Sequence, residues 1–236
     1  MAKIVFRYFA CQGRAEPLRL LLADSGVQFD DERVPIDEKW KQTKQDRSIS
    51  GPFQCLPVLH WDSHLIAQTE AIAVYLSIKL GYAGDGSPEQ MAQSAALCSA
   101  AHQDLVQTAV KLLYIPVLEP QKNLEEAFHE TARNIHGRLR ALDHLLDEKQ
   151  FFLGDRLCSG DFFLYAAFDQ ILTIFGDSLF DSYPRLKAFY ERMGARPNIK
   201  AYVDAGRRLK CISANPKEQE VLEKFKELDA NSTPQK

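Results

Sequence analysis

The chain has 236 residues, 45% of them hydrophobic and 26% charged, which is ordinary for a globular protein that buries a sizeable core. Its net charge of −3 argues against a general binder of nucleic acid or of acidic membranes. No apolar run approaches the ~18 residues that a membrane-spanning helix requires. Five scattered cysteines do not suggest a disulfide framework, so we expect a soluble cytoplasmic protein with no nucleic-acid or membrane partner.

The first 80 or so residues predict a compact α/β unit. Residues 3–9 alternate apolar and polar side chains as a strand does, and the spacing becomes helical from Arg14 until Gly26 ends the helix. Asp62 and Ser63 separate two short apolar runs and indicate a hairpin. The predicted strands cover 3–9, 28–34, 53–61 and 64–67, and a second helix is predicted at 69–80.

The sequence YAGDGSP at 82–88 interrupts this pattern. Two glycines and a proline within seven residues indicate a linker, and Pro88 suits the first turn of a new helix. Later segments have helical period at about 89–115, 123–148, 161–175, 185–194 and 198–208, and 216–228 predicts a further amphipathic helix. We therefore divide the chain into an α/β domain at 1–81, a linker at 82–88 and an all-helical domain at 89–236.

Pro57 follows Leu56 within a predicted strand, where a proline cannot donate a ladder hydrogen bond. Two interpretations stay open. In the first, Pro57 is an ordinary trans proline at a sheet edge. In the second, the Leu56-Pro57 bond is cis and turns the N–H and C=O of Leu56 toward an extended peptide ligand, which binds as an added strand.

Gln68, Thr69 and Glu70 begin the helix predicted at 69–80. Thr69 is a good N-cap residue, and the free N–H groups of a first helical turn attract an anion such as a ligand carboxylate. Gln68 could bond a ligand amide, and Glu70 could pair with a ligand amine. A simple capped helix is the alternative.

Four other side chains complete a candidate ligand site. Trp40 and Lys44 are four residues apart in the polar segment between strands, and they offer an indole N–H and a cation to a carboxylate. Tyr8 at the end of the first strand and Arg14 after it lie toward the C-terminal edge of that strand. Open α/β sheets bind ligands at this edge.

These motifs resemble those of cytosolic glutathione transferases in order and spacing. The α/β half has YF-x-x-x-GRAE at 8–16, W-x-x-x-K at 40–44, LP-x-L at 56–59 and QTEAI at 68–72. The helical half has GD-x-x-x-x-x-D at 154–161, YP-x-L at 183–186 and ARP-x-IKAY at 195–202. The resemblance covers about residues 3–208 and is to the tyrosine-type group, with GRAE similar to sigma members and the last motif similar to pi members.

This resemblance implies a thioredoxin-like α/β domain followed by an all-α domain, in an enzyme that conjugates its co-substrate glutathione to hydrophobic electrophiles. Detoxification, a homodimer and no required metal are expected with it. Transferred by position, Tyr8 donates its hydroxyl hydrogen to the glutathione sulfur, and Arg14 supports the electrostatics of that site. The residues implied to bind the tripeptide are Tyr8, Trp40, Lys44, Cys55, Leu56, Pro57, Gln68, Thr69 and Asp104.

The resemblance also implies which part of glutathione each residue holds. Trp40 and Lys44 hold the glycyl carboxylate. The Leu56 backbone pairs with the cysteinyl unit, which makes Pro57 cis.

Gln68 and Thr69 are implied to hold the γ-glutamyl end. The matched pattern places an acid on the first long helix, reaching the γ-glutamyl amine across the dimer; Asp104 is the candidate, and a shift of one residue gives Gln103. The residues implied to line the electrophile pocket are Phe9, Ala10, Leu113 and Tyr114.

The chain departs from the family pattern at three positions. Cys55 stands where Gln or Lys is common, so we expect one peripheral glutathione contact to be missing. Thr69 replaces Ser and keeps the hydroxyl. Cys158 replaces the Ser or Thr expected three residues before Asp161, and loss of such an N-cap hydroxyl costs typically ~1 kcal/mol.

Three alternative functions stay open. Cys11 lies near Arg14 and a helix N-terminus, where a thiol pKa can fall; this suits a thiol transferase, although there is no C-x-x-C motif. A glutathione-dependent isomerase or peroxidase would use the same site as the transferase. A non-enzymatic, crystallin-like relative would keep the fold with a degraded site.

Three further signals are weaker. Phe53 lies where some classes insert an aromatic side chain into the partner subunit, with local packing as the alternative. His60 and His64 flank the hairpin turn and favour a plain hairpin over a metal site. The tail helix at 216–228 could partly cover the electrophile pocket.

Overall fold

The computed structural model describes residues 3–231, which begin with a four-stranded mixed sheet. The central strand β1 (Ile4–Phe9) is parallel to β2 (Asp30–Val34) and antiparallel to β3 (Val58–Trp61), and β4 (His64–Ala67) is antiparallel to β3. Across the sheet the order is therefore β2-β1-β3-β4. Because β1 has neighbours on both sides, its C-terminal end is held in one place relative to the loops around it.

Four helices accompany the sheet. α1 (Glu16–Asp24) connects β1 to β2 and buries all of its leucines, and α4 (Thr69–Leu80) follows β4. The short helices α2 (Trp40–Thr43) and α3 (Arg47–Ser50) lie between β2 and β3. They were not predicted, because a single helical turn is too short to show a hydrophobic period.

The second half is helical throughout, as predicted. Its α-helices are α5 (Pro88–Ser99), α6 (Gln107–Leu118), α7 (Leu124–Leu146), α8 (Ser159–Phe175), α9 (Pro184–Gly194), α10 (Pro197–Asp204) and α11 (Glu218–Asn231). A π-helical segment (Ala100–Val106) joins α5 to α6, and a 3₁₀ turn (Asp177–Phe180) follows α8. α8 is buried on nearly all sides, because it packs against α1, α5 and α11.

Several predicted helix boundaries are confirmed. The helix at 69–80 ends before Gly81, whose φ of 81° is left-handed and favours glycine. Ser87 caps α5 by accepting a hydrogen bond from the Gln90 N–H at 3.2 Å, and Pro88 occupies its first turn. The predicted tail helix corresponds to α11, which packs its apolar face against α6 and α8.

Other local predictions were wrong. The strand predicted over 53–61 begins only at Val58, after a turn and a proline that lacks a ladder donor. Thr69 is the first helical residue and not the N-cap, which is Gln68 with a φ of 76°. The first helix begins at Glu16 rather than Arg14, and the helix predicted at 198–208 ends at 204.

The buried carboxylate of Asp161 joins the start of α8 to the preceding loop. It accepts hydrogen bonds from the Cys158 N–H at 2.8 Å and from the Phe152 N–H at 3.0 Å. Cys158 is the N-cap residue, and its thiol takes the place of the usual hydroxyl in a capping box with Asp161. Burial raises the pKa of Asp161, and the two backbone N–H groups oppose that effect.

We expect Asp161→Ala to lower the free energy of unfolding by roughly 2–4 kcal/mol, because two buried N–H groups lose their acceptor. Urea denaturation followed by circular dichroism measures this change. Asp155→Ala, at an exposed position six residues earlier, is the control and should change stability by less than about 0.5 kcal/mol. Equal effects of the two substitutions would contradict the assigned role of Asp161.

Candidate active site

Tyr8 occupies the next-to-last position of β1 and is buried beside the turn that leads into α1. The backbone N–H of Arg14 donates to the Tyr8 hydroxyl oxygen at 3.3 Å. Gly13 permits this close approach, because a Cβ at its position would lie 2.7 Å from the hydroxyl, and its φ of +43° is rarely adopted by other residues. The glycine is therefore required by the packing of the phenol.

Burial raises the pKa of Tyr8 to about 12; Cys11 adds to this effect, and the backbone N–H and charge of Arg14 oppose it. The phenol is therefore protonated at neutral pH. Because its oxygen already accepts a hydrogen bond, its own O–H is available as a donor. Tyr8 can stabilise a negative atom by donating a hydrogen bond, but it cannot accept a proton near neutral pH as a general base would.

A buried guanidinium holds the strand end that carries Tyr8. Arg19 on α1 donates to the carbonyl oxygens of Phe9 and Cys11 at 3.3 and 2.8 Å. Its Nε also binds the Asp31 carboxylate at 3.0 Å. Sequence analysis missed Arg19, because a cation among leucines in a helix gives no signal of where the neighbouring chain passes.

The segment after α10 returns across the same end of β1. Arg208 binds Glu16 at 3.2 Å and Asp169 at 2.8 Å. The turn after β1 donates two backbone hydrogen bonds to the carbonyls of Cys211 and Ile212, at 2.9 and 3.0 Å. The prediction that the helix at 216–228 partly covers the pocket is not met, because α11 packs against α6 and α8. The segment that precedes α11 reaches this end of β1 instead.

A cavity of about 390 Å³ opens beside Tyr8. Its walls are the end of β1 with Phe9, one face of the π-helical segment and α6, and residues 212–214 of the tail. Tyr114 joins two of these walls, because its hydroxyl accepts a hydrogen bond from the Ala214 N–H at 3.2 Å. Phe9 and Tyr114, which were predicted to line the electrophile pocket, both line this cavity.

Two predicted pocket residues do not line the cavity. Leu113 is fully buried in the helical core, because it lies about 100° around α6 from Tyr114. The Ala10 carbonyl accepts a hydrogen bond from the Cys211 thiol at 3.1 Å, and Ala10 is not on the cavity wall.

The cavity wall on α6 was mostly missed by sequence analysis, although a signal for it exists. Positions 102, 106, 110, 114 and 118 line the cavity at intervals of four, which puts them on one helical face. Gln107 and Lys111 form a second row on the same wall. Once Tyr114 is assigned to the pocket, this spacing identifies the others.

His102 is a further site residue that was not predicted. Its buried imidazole Nδ1 lies 3.7 Å from Oε1 of Glu70. Burial lowers the pKa of His102, Glu70 opposes this effect and Arg14 adds to it. The imidazole is therefore neutral at physiological pH and borders the cavity without adding charge. Its place in a π-helical segment fits the frequent use of such segments at functional sites.

Among the predicted glutathione residues, Tyr8 lines this cavity and Trp40 contacts its wall. Trp40 packs edge-on against Phe9, with ring centroids 5.1 Å apart. The Leu56-Pro57 peptide bond is cis, so the cis geometry of the second interpretation is confirmed, and the pairing of Leu56 with a peptide ligand stays a prediction. Gln68 lies with its Nε2 3.8 Å from Sγ of Cys55.

Two other predicted residues differ in exposure. Thr69 is buried at the start of α4, where the N–H groups of the first turn are free of side-chain caps. Lys44 follows α2 and is half-buried, and its carbonyl accepts a hydrogen bond from the Ser50 hydroxyl at 2.7 Å. Asp104, in contrast, does not border this chain's own cavity: it is 43% exposed and 4.0 Å from Arg138.

The environment of Cys11 differs from that expected of a reactive thiol. Cys11 is 2% exposed, and burial raises its pKa to about 12; Cys211 adds to this effect and Arg19 opposes it. The expectation that Arg14 and a helix N-terminus lower this pKa was wrong, because desolvation of the thiolate outweighs the nearby cations. The geometry therefore weighs against the thiol-transferase alternative.

Within residues 3–231, no helix is both long and apolar enough to cross a membrane. In the same part of the chain, His, Cys, Asp and Glu side chains do not gather in groups of three or more that could hold a metal ion.

Comparison with known proteins places this site in a family. Residues 103–206 match the family model described as the glutathione S-transferase C-terminal domain. A glutathione S-transferase of Dirofilaria immitis is 30% identical over 199 residues, which cover 83% of this chain and 89% of that protein. The hematopoietic prostaglandin D synthase of Gallus gallus is 32% identical over 198 residues, covering 83% and 92%.

Solved structures agree with these sequence similarities. A glutathione S-transferase structure from Caenorhabditis elegans has 27% identity and a TM-score of 0.73, and the match covers 86% of this chain and 98% of that one. The chain belongs to the glutathione S-transferase family. The predicted fold class and family resemblance are thereby confirmed.

We expect Cys11 to resist alkylation by iodoacetamide in the native protein at neutral pH, because its thiol is buried and protonated. Half-buried Cys55 is the internal comparison and should be modified first. Peptide mass spectrometry after timed alkylation measures both sites, and unfolding in urea should make Cys11 reactive. Rapid modification of native Cys11 would restore the thiol-transferase alternative.

Proposed function

We propose that the chain conjugates the thiolate of glutathione to electrophilic small molecules and that Tyr8 stabilises this thiolate. The observation that carries the proposal is the Tyr8 phenol: it is buried, protonated and free to donate its hydrogen at the edge of a 390 Å³ cavity. Conjugation of this kind in the cytoplasm would serve detoxification.

The energetic argument concerns the pKa of the glutathione thiol. A free thiol has a pKa near ~8.5, so it is mostly protonated at neutral pH. A hydrogen bond to a charged group contributes about 1.5–3 kcal/mol, and ~1.36 kcal/mol lowers a pKa by one unit. One donated bond from Tyr8 therefore lowers the pKa of the thiol to roughly 6.3–7.4, so that a large fraction is thiolate at neutral pH and, at the stronger end of this range, the thiolate is the main form.

The reaction is an attack by sulfur. The thiol proton leaves to solvent, since Tyr8 is already protonated. The sulfur lone pair forms a C–S bond with the electrophilic carbon, whose leaving group departs with its bonding electrons or whose double bond opens. Arg14 adds positive potential beside the sulfur, which favours the anion.

The two halves of the chain divide the binding. In this proposal residues 1–81 bind glutathione, 82–88 link the halves and 89–236 bind the electrophile. Trp40 and Lys44 receive the glycyl carboxylate, and Leu56 pairs with the cysteinyl backbone. The γ-glutamyl carboxylate lies at the N-terminus of α4 beside Gln68 and Thr69. Glutathione is a co-substrate here, and no step calls for a metal.

Tyr8→Phe should lower kcat/KM by roughly 10- to 150-fold, because the sulfur loses one hydrogen bond. It should also move the acid limb of the pH–rate profile up by roughly one to two pH units, since the neutral thiol is no longer disfavoured. Steady-state kinetics with a chromogenic electrophile over a range of pH measures both effects. Tyr75→Phe on α4 is the matched control. An unchanged profile for Tyr8→Phe would exclude the assigned role.

We further propose that the chain acts as a homodimer in which Asp104 serves the partner's site. Asp104 faces away from its own cavity, and its contact with Arg138 is loose at 4.0 Å. Exposed apolar side chains supply surface for an interface, with Val74 and Ile78 one turn apart on α4 and Phe53 63% exposed.

Asp104→Asn should raise the glutathione KM several-fold, because a carboxylate pairs with the γ-glutamyl amine more strongly than an amide does. Mixed dimers test whether the contact crosses between subunits. A mixed dimer of an Asp104→Asn subunit and a Tyr8→Phe subunit should have one complete site and hence about half of the activity of a wild-type dimer. Random pairing makes about half of the dimers mixed, so these should add about a quarter of the wild-type activity to the mixture. Refolding the two variants together and assaying the mixture would reveal this, and no gain over the separate variants would contradict the cross-subunit role.

A second candidate is a glutathione-dependent isomerase, favoured by the 32% identity to the prostaglandin D synthase of Gallus gallus. The thiolate sulfur would form an S–O bond with one endoperoxide oxygen while the O–O bond breaks, and the other oxygen would leave as an alkoxide that takes a proton. Loss of a proton from the carbon that bears the S–O oxygen would then form a carbonyl and break the S–O bond, so that the thiolate is released and the substrate is isomerised without net oxidation. Assays with an endoperoxide and with organic peroxides, beside a panel of conjugation substrates, separate isomerase and peroxidase activities from transferase activity. Failure to bind immobilised glutathione would instead favour the crystallin-like alternative.

A further inference from the structure

The cavity beside Tyr8 is apolar over most of its surface but carries two cations. Phe9, Val106 and Val110 are among its apolar walls, whereas Arg14 and Lys111 contribute positive side chains. The two cations come from different elements, Arg14 from the turn after β1 and Lys111 from the middle of α6. A purely apolar electrophile would form no ion pair with the second cation.

Lys111 is fixed to the cavity wall by its place on α6. It lies one turn after Gln107 and one turn before Tyr114, and all three line the cavity, as residues three and four apart on a helix do. The Tyr114 hydroxyl accepts a hydrogen bond from the Ala214 N–H at 3.2 Å, which fixes this part of the wall to the segment before α11. The Lys111 side chain is exposed and therefore reaches the open part of the cavity.

The charge of Lys111 is not neutralised within the described protein. It forms no ion pair with a residue of the 3–231 range that the structure describes. The carboxylate on the cavity wall, Glu119, lies two turns further along and pairs with Lys122 at 3.8 Å. The imidazole of His102 is neutral and already faces Glu70 at 3.7 Å.

The two cations have different places in the proposed reaction. Arg14 lies next to the Tyr8 hydroxyl, to which its backbone N–H donates at 3.3 Å. Its positive charge therefore acts on the glutathione sulfur that Tyr8 stabilises. Lys111 lies on the opposite, electrophile-binding wall. An anion attracted by Lys111 is therefore part of the electrophile and not of glutathione.

We propose that Lys111 binds a carboxylate of the electrophile, so that the preferred substrates have an apolar body, a reactive carbon and a carboxylate. This inference rests on the proposed function and names the substrate class of the same site. A lysine suits it, because an ammonium is a compact point charge on a flexible stem that can follow carboxylates at different distances from the reacting carbon.

The test uses a matched pair of probes: an aryl enone with a carboxymethyl group on the ring, and its methyl ester. In both, the thiolate sulfur forms a C–S bond to the β-carbon while the C=C π bond opens. The electron pair passes to the carbonyl oxygen as an enolate, which takes one proton from water. The reacting groups are identical, so a difference in kcat/KM reports recognition of the carboxylate.

The wild-type protein should prefer the acid. Lys111→Gln should lower kcat/KM for the acid about ten-fold, or about 1.4 kcal/mol, and change that for the ester less than about two-fold. Lys111→Arg should retain the preference. Lys187→Gln on α9 is the matched control, because Lys187 is also exposed on a helix but does not line the cavity. It should leave kcat/KM unchanged for both substrates. Added salt should reduce the preference in the wild type, in Lys111→Arg and in Lys187→Gln, which all keep a cation at position 111, and should have little effect in Lys111→Gln.

Two results would overturn the inference while leaving the proposed function intact: no preference for the acid in the wild type, or equal loss of both substrates in Lys111→Gln. A preference that persists unchanged in Lys111→Gln would assign the carboxylate to Arg14 and also overturn it. Conversion of neither probe by the wild type, with other electrophiles also inert, would reject the proposed function itself. Circular dichroism of each variant confirms that it is folded.

Discussion

The site depends on one buried cation, because Arg19 holds three parts of the chain together where the cavity opens. Its guanidinium binds the carbonyls at the end of β1 and the Asp31 carboxylate of β2. Glu16 lies 3.7 Å away on the same helix and also binds Arg208 in the segment after α10, so the network of ion pairs extends to that segment. Burying a guanidinium without such partners costs several kcal/mol, so strand end, helix and tail are restricted to one arrangement.

That arrangement determines the chemistry of Tyr8. The turn after β1 brings the Arg14 N–H to the phenol oxygen, and burial keeps the phenol protonated. The same burial that keeps the Tyr8 phenol protonated raises the pKa of the Cys11 thiol, since both groups would have to ionise out of water. One environment thus selects between the two candidate groups, favouring a hydrogen-bond donor over a protein nucleophile.

Much of the fold was readable from the sequence because its signals are local. α4 ends before Gly81 and Pro88 begins α5, as predicted, since caps and prolines act on the backbone next to them. The failures are also local: the short helices around Trp40 have no period, and Thr69 could be distinguished from Gln68 as N-cap only by backbone angles. Leu113 and Tyr114 are adjacent in sequence, but they point to different sides of α6: Leu113 is buried in the core and Tyr114 lines the cavity.

The sequence by itself determined the order of the elements and the family, and it singled out Tyr8 as the candidate phenol, because those depend on motifs within short stretches of chain. Only the tertiary structure decided that Cys11 is buried, that His102 faces Glu70 and that residues 212–214 wall the cavity. Each of these facts concerns groups that are far apart in the chain. Their distances and their desolvation arise from packing, and no local pattern of residues encodes them.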